Sequence, residues 1–554
     1  MRKWKLSLSL VAIIGILAAC GNNSTDSTTK GTDGKSGTTT TKNIPQEISV
    51  SVPAEITTLD TTKATDRNTF TVIEQIFEGL YRFNGKNELE LALAKEDALI
   101  SPDGLTYTFK LKEDAKWSNG DSVTANDFVY AWSKIVDPAS AAPNAYLFAN
   151  IKNAKAITAG EKKLDELGVK AISDYELQVN LELPQPSFLS LVAIGWFYPQ
   201  NQKFVEAQGD NYALDTDKIL YNGPFTLTNW KDGATDWNYE KNQLYHDKKN
   251  VSLDKVNISV IKETSTGVQL YEAGDLDVTT LVGDYAKENE GNPDLVRKQE
   301  LALQYLSYNA AGDRPLKNSN LRKAISLAID RSAITENIVA NGSKPLGGLI
   351  PTNLAKNPSS GEDFRKENGS FLDYNLTEAK KEWELAKKEL GDTVALELVT
   401  SDDAMEKKLG EYIQSSLSEN LKGLTISIRS VPKNVALEQR RTGKFDLATA
   451  GWIAGDIDPT GFFILFETGA AYNYGKYQNE QFQNLITDTK TVNANNPEKR
   501  YAAFLKAEKI LFEDAAFQPL YQRTTNYLQR PTVKGLESHL LGSDFTFRNV
   551  TVTE

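Results

Sequence analysis

Residues 375–398 read Asn375-Leu376-Thr377-Glu378-Ala379-Lys380-Lys381-Glu382-Trp383-Glu384-Leu385-Ala386-Lys387-Lys388-Glu389-Leu390-Gly391-Asp392-Thr393-Val394-Ala395-Leu396-Glu397-Leu398. Within these residues the apolar period changes. Leu376, Ala379, Trp383, Ala386 and Leu390 recur at three- and four-residue intervals, which predicts an amphipathic helix. Asn375 and Glu378 stand at capping-box spacing, and Gly391 is placed to end the helix. Val394, Leu396 and Leu398 then alternate with their neighbours, the signature of a strand. The same exchange of periods surrounds this segment. Leu321, Ala324, Ile325, Ala328 and Ile329 form a helical stripe behind the cap-forming Asn318-Ser319-Asn320, and Leu424, Ile426 and Ile428 alternate as a strand. Regular helix–strand alternation after about residue 320 predicts an α/β lobe there.

Upstream the pattern differs. Leu105, Tyr107, Phe109 and Leu111 share one face opposite Thr106, Thr108, Lys110 and Lys112, and Leu177, Val179, Leu181 and Leu183 repeat the alternation. The strand-rich stretch 83–185 therefore reads as antiparallel, with a further strand at Val256, Ile258 and Val260. No internal repeat of fixed period is visible. At 554 residues the chain exceeds one hydrophobic core and predicts two or three domains.

The composition, 40% hydrophobic and 25% charged, is that of a soluble globular protein. A net charge of −12 leaves no basic surplus to displace counterions from phosphates, so a nucleic-acid partner is not expected. One cysteine and two histidines, His246 and His539, exclude an internal disulfide and a structural zinc cage; no metal and no cofactor are expected. A chain of this length builds its core without disulfides, so their absence does not place it in the cytosol.

The first residues settle the compartment. Arg2, Lys3 and Lys5 precede an apolar run at 6–17, the length of a signal-peptide core and short for a membrane span. Residues 1–19 read as an export signal. The run closes on Leu17-Ala18-Ala19-Cys20, which resembles the bacterial lipobox, where the cysteine thiol receives a diacylglycerol and becomes the new N-terminus. Cys20 is thus expected to be a lipid anchor on the extracytoplasmic face of the cell membrane, in a Gram-positive bacterium. Residues 21–43 hold no aliphatic or aromatic side chain suited to a core and read as a flexible tether, giving a lipidated linker at 20–45.

Motifs for catalysis are missing. The chain has no G-x-S-x-G elbow, no H-E-x-x-H and no full G-x-x-x-x-G-K-[ST] phosphate loop, since Gly34-Lys35-Ser36 lacks the leading glycine. Asp456 and Asp458 in Gly455-Asp456-Ile457-Asp458-Pro459 form a carboxylate pair of the kind glycosidases use, although such pairs also abound in solvated turns. A surface-anchored hydrolase stays open on that pair alone.

A series of short motifs, taken in order, resembles the peptide-binding branch of the extracellular solute-binding proteins of family 5, the receptors of oligopeptide ABC transporters. They are Phe77-Glu78-Gly79-Leu80-Tyr81; Pro102-Asp103-Gly104-Leu105-Thr106-Tyr107; Trp117-Ser118-Asn119-Gly120 with Val123-Thr124-Ala125-Asn126-Asp127-Phe128; and Asn222-Gly223-Pro224-Phe225. Further on come Tyr271-Glu272-Ala273-Gly274-Asp275-Leu276-Asp277, Tyr308-Asn309 ahead of Arg322-Lys323-Ala324 and Ala328-Ile329-Asp330-Arg331, and Phe445-Asp446 ahead of Gly451-Trp452. Most have a structural reading: Asp103-Gly104 and Asn119-Gly120 suit tight turns, and Trp117 suits a core.

The resemblance implies an α/β, periplasmic-binding-protein-like fold of two lobes with an extra inserted domain, three domains in all, and a ligand cleft between the lobes. The implied division is 46–82 with 190–300 and 520–554 as domain I, 83–189 as domain II and 301–519 as domain III. It implies a receptor without catalysis, monomeric, that binds an extended oligopeptide and delivers it to permease subunits; a sensor of a peptide pheromone or other solute is the alternative within the class. Peptides of mixed sequence share only backbone and terminal charges, so recognition must be strand-like. The resemblance nominates the backbones of Gly451 and Ile453 after a strand at 446–450, the chain at 66–70, and Tyr146 beside the ligand. Trp452 is either a groove wall or a core ring. Asp456 is the implied partner of the peptide's ammonium, although relatives place that aspartate three residues after the tryptophan, where this chain has Gly455. A role for Asp458, or no fixed N-terminus, is the alternative. Thr449 stands where some relatives have an arginine for the peptide's C-terminus, which is compatible with longer ligands.

Overall fold

The helix and strand of 375–398 form where their periods place them. In the computed structural model, which describes residues 44–453, 457–539 and 543–554, the helix is Leu376–Leu390. The Asn375 side chain accepts from the Glu378 amide at 3.1 Å, and Gly391 follows at φ +88°. Only half of the expected capping box forms, because the Asn375 N–H donates to Leu327 O at 2.9 Å, while the Glu378 carboxylate accepts from Lys381. The export signal, Cys20, the tether up to residue 43 and Asp456 lie outside the described residues.

Strand Val394–Ser401 lies parallel to Leu424–Val431 along its whole length, and parallel to Leu447–Ile453 only at Leu398↔Leu447 and Val399↔Ala448. Trp383, Ala386, Leu396 and Ile413 share one core with helices Ser319–Leu327 and Ala404–Asn420, which makes this half α/β. The sheet then changes character. Leu447–Ile453 pairs antiparallel with Leu295–Tyr308, from Ala302↔Ile453 to Tyr308↔Leu447, and that long strand pairs with Phe517–Gln529. Beyond it the sheet continues through Val278–Leu281, Glu47–Val52, Lys255–Val260, Asp236–Lys241 and Phe225–Thr228. A separate four-stranded antiparallel sheet, in the order Leu99–Ile100, Thr106–Lys110, Glu176–Asn180, Val169–Ser173, answers the expectation for 83–185.

Two expected strands have different limits. The one through Leu183 stops at Asn180; Leu183 is 47% exposed and precedes Pro184, which ends regular pairing. The strand expected at 446–450 runs instead over Leu447–Ile453, taking Gly451 and Trp452 into the sheet.

Several motifs lock elements together. Glu78 accepts from Tyr245 Oη at 2.6 Å and Arg82 at 2.7 Å, with His246 Nε2 at 2.6 Å. The Asn222 amide caps the same turn, accepting from Glu78 N and donating to Glu78 O, both at 3.0 Å. A Cβ on Gly223 would lie 2.6 Å from Phe77 N, so the Asn222-Gly223 turn can approach only as glycine. Asp103-Gly104 is a turn with Gly104 at φ +71°, and Trp117 is buried, donating to Asp127. In the other half, Glu508 accepts from Arg365 through both oxygens at 2.6 and 2.8 Å and from the Leu349 and Ile350 amides. Gly348 admits the guanidinium: a Cβ there would sit 1.4 Å from Arg365 Nη1.

Two outcomes follow from these buried charges. Glu508→Ala strands the Arg365 charge and is expected to cost about 3–5 kcal/mol in urea unfolding. Burial opposes ionisation of Glu78, but His246, Arg82 and Tyr245 outweigh it and hold its carboxyl at about 2 against an ordinary 4.5. Its folded value is depressed, so its contribution is present above pH 4.5 and lost as pH falls towards 2. Glu78→Gln should therefore flatten the acid limb of the stability curve across that window; an unchanged limb would refute the assignment.

Candidate functional site

A cavity of about 520 Å³ lies where residues from the two halves of the described chain face each other. One wall is built from the start of helix Arg67–Ile76, the turn Ala145–Phe148 and the segment from Gln185 to Trp196; the other is built from Trp452, Ile453, Thr460, Gly461 and Tyr472. Trp196 stands edge-on to Phe70 at 4.3 Å, and its indole N–H and the Asn144 amide both donate to Ala64 O. This wall is therefore fixed by its own hydrogen bonds.

The other wall carries a strand edge. Leu447–Ile453 pairs with Leu295–Tyr308 over its whole length, but its opposite side meets Val394–Ser401 only at Leu447 and Ala448. Along 449–453 that side has no strand partner among the described residues. An antiparallel strand directs alternate N–H and C=O groups to its two sides, so this edge presents unpaired donors and acceptors. On the paired side, Gly451 leaves room for the side chain of its cross-strand partner, since a Cβ there would stand 3.0 Å from Gln304 Oε1.

Trp452 resolves into both of its expected roles. Its indole N–H donates to Gly461 O at 2.8 Å and its ring meets Tyr472 at 4.8 Å and 62°, so it packs on one side while it lines the cavity with the other. Ile453, 39% exposed, and Tyr146, 55% exposed, line the cavity from opposite walls. Gly451 adjoins Trp452 on the strand but is not itself among the lining residues. The expectation of strand-like backbone at 66–70 is corrected. Asp66 caps a helix by accepting from the Thr69 amide at 2.9 Å, so from Arg67 onward this wall is a helix end with no strand edge to offer.

The charges at the site are spent internally. Arg67 holds Asp544 at 2.6 Å and donates to His539 O at 3.0 Å; Lys490 holds both oxygens of Glu467 at 2.6 and 2.8 Å. No carboxylate lines the cavity among the described residues. Asp458 is buried and accepts from Arg500 through both oxygens at 2.8 and 2.6 Å and from Thr460 N and Oγ1. Burial opposes its ionisation, yet Arg500 and Thr460 prevail and hold the carboxyl below its usual range. Such a group is neither a general acid nor an open anion, which removes one member of the carboxylate pair that a hydrolase would need. No group of three or more His, Cys, Asp or Glu among the described residues could hold a metal.

The walls at Asn144, Gln185, Trp196, Tyr472 and Lys490 had no signal in the sequence: they come from loops and short turns whose residues gather only in the fold. What the arrangement offers chemically is an unpaired strand edge facing aromatic and amide side chains, suited to holding an extended chain by its main chain. Asp458→Asn should cost stability, about 3 kcal/mol, by uncovering the Arg500 charge; normal stability on thermal unfolding would show the carboxylate is not structural.

Comparison with known proteins gives one family. The model for bacterial extracellular solute-binding proteins of family 5 matches residues 88–474. A dipeptide-binding protein of Lactococcus lactis subsp. cremoris is 33% identical over 98% of each chain. Among solved structures, Listeria monocytogenes OppA bound to peptide is 40% identical with a TM-score of 0.75, covering 92% of this chain and 99% of that one. The pheromone receptor PrgZ is 35% identical with a TM-score of 0.77, covering 92% of this chain and 100% of its own.

Proposed function

The chain belongs to the family 5 bacterial extracellular solute-binding proteins, and on that premise we propose that it is a lipid-anchored receptor that binds oligopeptides in extended form between its lobes and hands them to an ABC permease. The observation that carries the reading is the unpaired edge at 449–453 on one wall of the cavity. A peptide backbone laid along it adds a strand to the sheet and satisfies groups that would otherwise need water. Every peptide can do this, so the edge gives affinity without side-chain selection. Gly451 and Ile453 supply the pairing groups, Trp452 and Tyr146 the flanking surfaces. Similarity to an oligopeptide-binding protein of Bacillus subtilis, 30% identical over 97% of each chain, supports the ligand class.

Asp456 is the proposed partner of the peptide's ammonium. Its attraction is by elimination as well as by position: the described lining residues offer no carboxylate, and Asp458 is committed to Arg500. A buried ammonium without an anion would be costly. Cys20 is the proposed anchor and 21–43 the tether; no described helix is long and apolar enough to cross a membrane. The body is assigned to domain I at 46–82, 190–300 and 520–554, domain II at 83–189 and domain III at 301–519. The two lobes close over the ligand, and the closed form is the one presented to the permease. Likeness to the pheromone receptor favours a second reading, a sensor of one defined peptide.

The test is native mass spectrometry of the chain starting at Gly21, with sequencing of what co-purifies. Mixed peptides are expected for uptake and one discrete peptide for the sensor; a protein that carries none and ignores an added peptide library overturns both. In the same assay Asp456→Asn should weaken free-amine peptides about tenfold more than N-acetylated ones, as for a lost charge-assisted bond. Equal effects would remove Asp456 from the ammonium role.

A further inference from the structure

A cavity of about 370 Å³ lies behind one wall of the cleft, built entirely from residues 305–516. Its floor is the end of strand Leu295–Tyr308, lined by Tyr305 and Ser307, and its roof is the loop 472–478. The roof is a fixed structure. Asn473, 4% exposed, donates to Glu467 O at 3.2 Å and to Tyr477 O at 2.8 Å, and accepts from the Tyr477 amide at 2.9 Å. Gly475 lets the loop lie on the strand, since a Cβ there would stand 2.3 Å from Tyr308 O.

The charge around this cavity is not balanced within it. Four arginines are buried among the described residues, and three of them, Arg331, Arg365 and Arg548, hold the carboxylates of Asp373, Glu508 and Asp247. The fourth, Arg322, lines the cavity and meets only carbonyls: Leu316 O at 2.7 Å, Lys317 O at 3.0 Å, Asp514 O at 2.6 Å and Ala515 O at 3.0 Å. Those bonds hold the fork in place, but carbonyl dipoles do not cancel a full charge. Lys317 and Lys476 line the same cavity, and neither ammonium has an ion pair or hydrogen bond among the described residues. Asp514 is the one carboxylate on the lining, and it already accepts from Tyr477 Oη at 2.7 Å and from Asn479 at 2.9 Å. Three cations thus face one acid, in a chain whose net charge is −12. Arg440, over the ring of Tyr474 at 5.9 Å, adds a further guanidinium behind the same lining.

An anion entering this cavity gains charge-assisted hydrogen bonds and relieves the buried guanidinium. The rest of the lining says which anion fits: Ser307 supplies a hydroxyl donor, while Tyr305, Phe466 and Tyr474 offer ring carbon. The volume falls in the range of sites that take a small ligand, about 300–1,000 Å³. We propose that this cavity binds a small free organic acid, its carboxylate towards Arg322, Lys317 and Lys476 and its carbon skeleton against the aromatic rings, at a site separate from the peptide cleft. Tyr472 lines both cavities and packs on Trp452. An acid that steadies the roof therefore also steadies one wall of the cleft, and peptide affinity rises with it. That coupling rests on the peptide-binding reading above; the acid site does not.

Isothermal titration of the protein with succinate, citrate and inorganic phosphate, each matched for ionic strength with sodium chloride, tests this. Saturable binding of at least one of the two carboxylates is expected, with a dissociation constant of about 1 mM or tighter. Lys317→Glu and Lys476→Glu, both at exposed positions, should each weaken it about tenfold, the effect of a lost charge-assisted bond. Lys203→Glu, on the exposed side of helix Gln202–Gln208, should leave it unchanged. At saturating carboxylate the protein should bind peptide about fivefold tighter, and by linkage peptide should tighten the carboxylate equally. No saturable binding, or binding that both glutamate substitutions leave unchanged, overturns the site. Phosphate binding without carboxylate binding overturns its assignment to an organic acid. A carboxylate displaced by a peptide with a free C-terminus, but not by the same peptide as its C-terminal amide, places the peptide's own end in the cavity and overturns a separate site. Unchanged peptide affinity at saturating carboxylate overturns the coupling. A protein that binds carboxylate but no peptide is a different result and falls on the proposed function itself.

Discussion

The two long strands Leu295–Tyr308 and Phe517–Gln529 are the constraint on which the molecule depends. Each runs from one half of the main sheet into the other, so every other element is placed relative to them. Their pairing is interrupted between Gln299 and Leu303, and shifts again between Gln304 and Tyr305. Bulges of this kind bend and twist a strand pair locally. Glu300 lies in the interruption and accepts from Arg523 at 2.7 Å and from Thr525, with Arg67 at 3.8 Å. The register thus slips where the two halves meet, and side chains bridge the irregularity, a place where a strand pair can flex between lobes.

From that geometry the cavity follows. The first half brings a helix end and loops to the seam; the second brings the only partly paired strand of its parallel group. A strand edge left open to solvent invites pairing with another chain. Here the edge is short, lies inside a cleft and is flanked by Trp452 and Tyr472, so the pairing it allows is confined to a segment of extended chain. The charges around it neutralise one another, and the site is left with main-chain groups and apolar or amide surfaces.

The lobe chemistry was legible in the sequence to different depths. The helix at 376–390 and the strand beginning at Val394 were readable because cap, stripe and glycine stop all agreed. The strand through Gly451 and Trp452 was read too short, since Gly451 interrupts its apolar pattern while its pairing with Gln304 keeps it extended. The helix starting at Arg67 was missed in favour of strand-like backbone, although Asp66 is an ordinary cap for it. Asp458 sat in an acidic loop that looked solvated, and only the fold shows Arg500 beside it, forty-two residues away in the chain. The walls of the cavity were illegible for the same reason: long-range neighbours leave no local period to read.

The central claim is that the edge at 449–453 pairs with the backbone of an extended ligand. Amide hydrogen exchange over that strand, with and without a saturating peptide, tests it most directly. The account predicts that peptide slows exchange at Gly451 or its alternate neighbours on the open side, while amides already bonded to Leu295–Tyr308 change little. Unchanged exchange along 449–453 in the peptide-bound protein would contradict it.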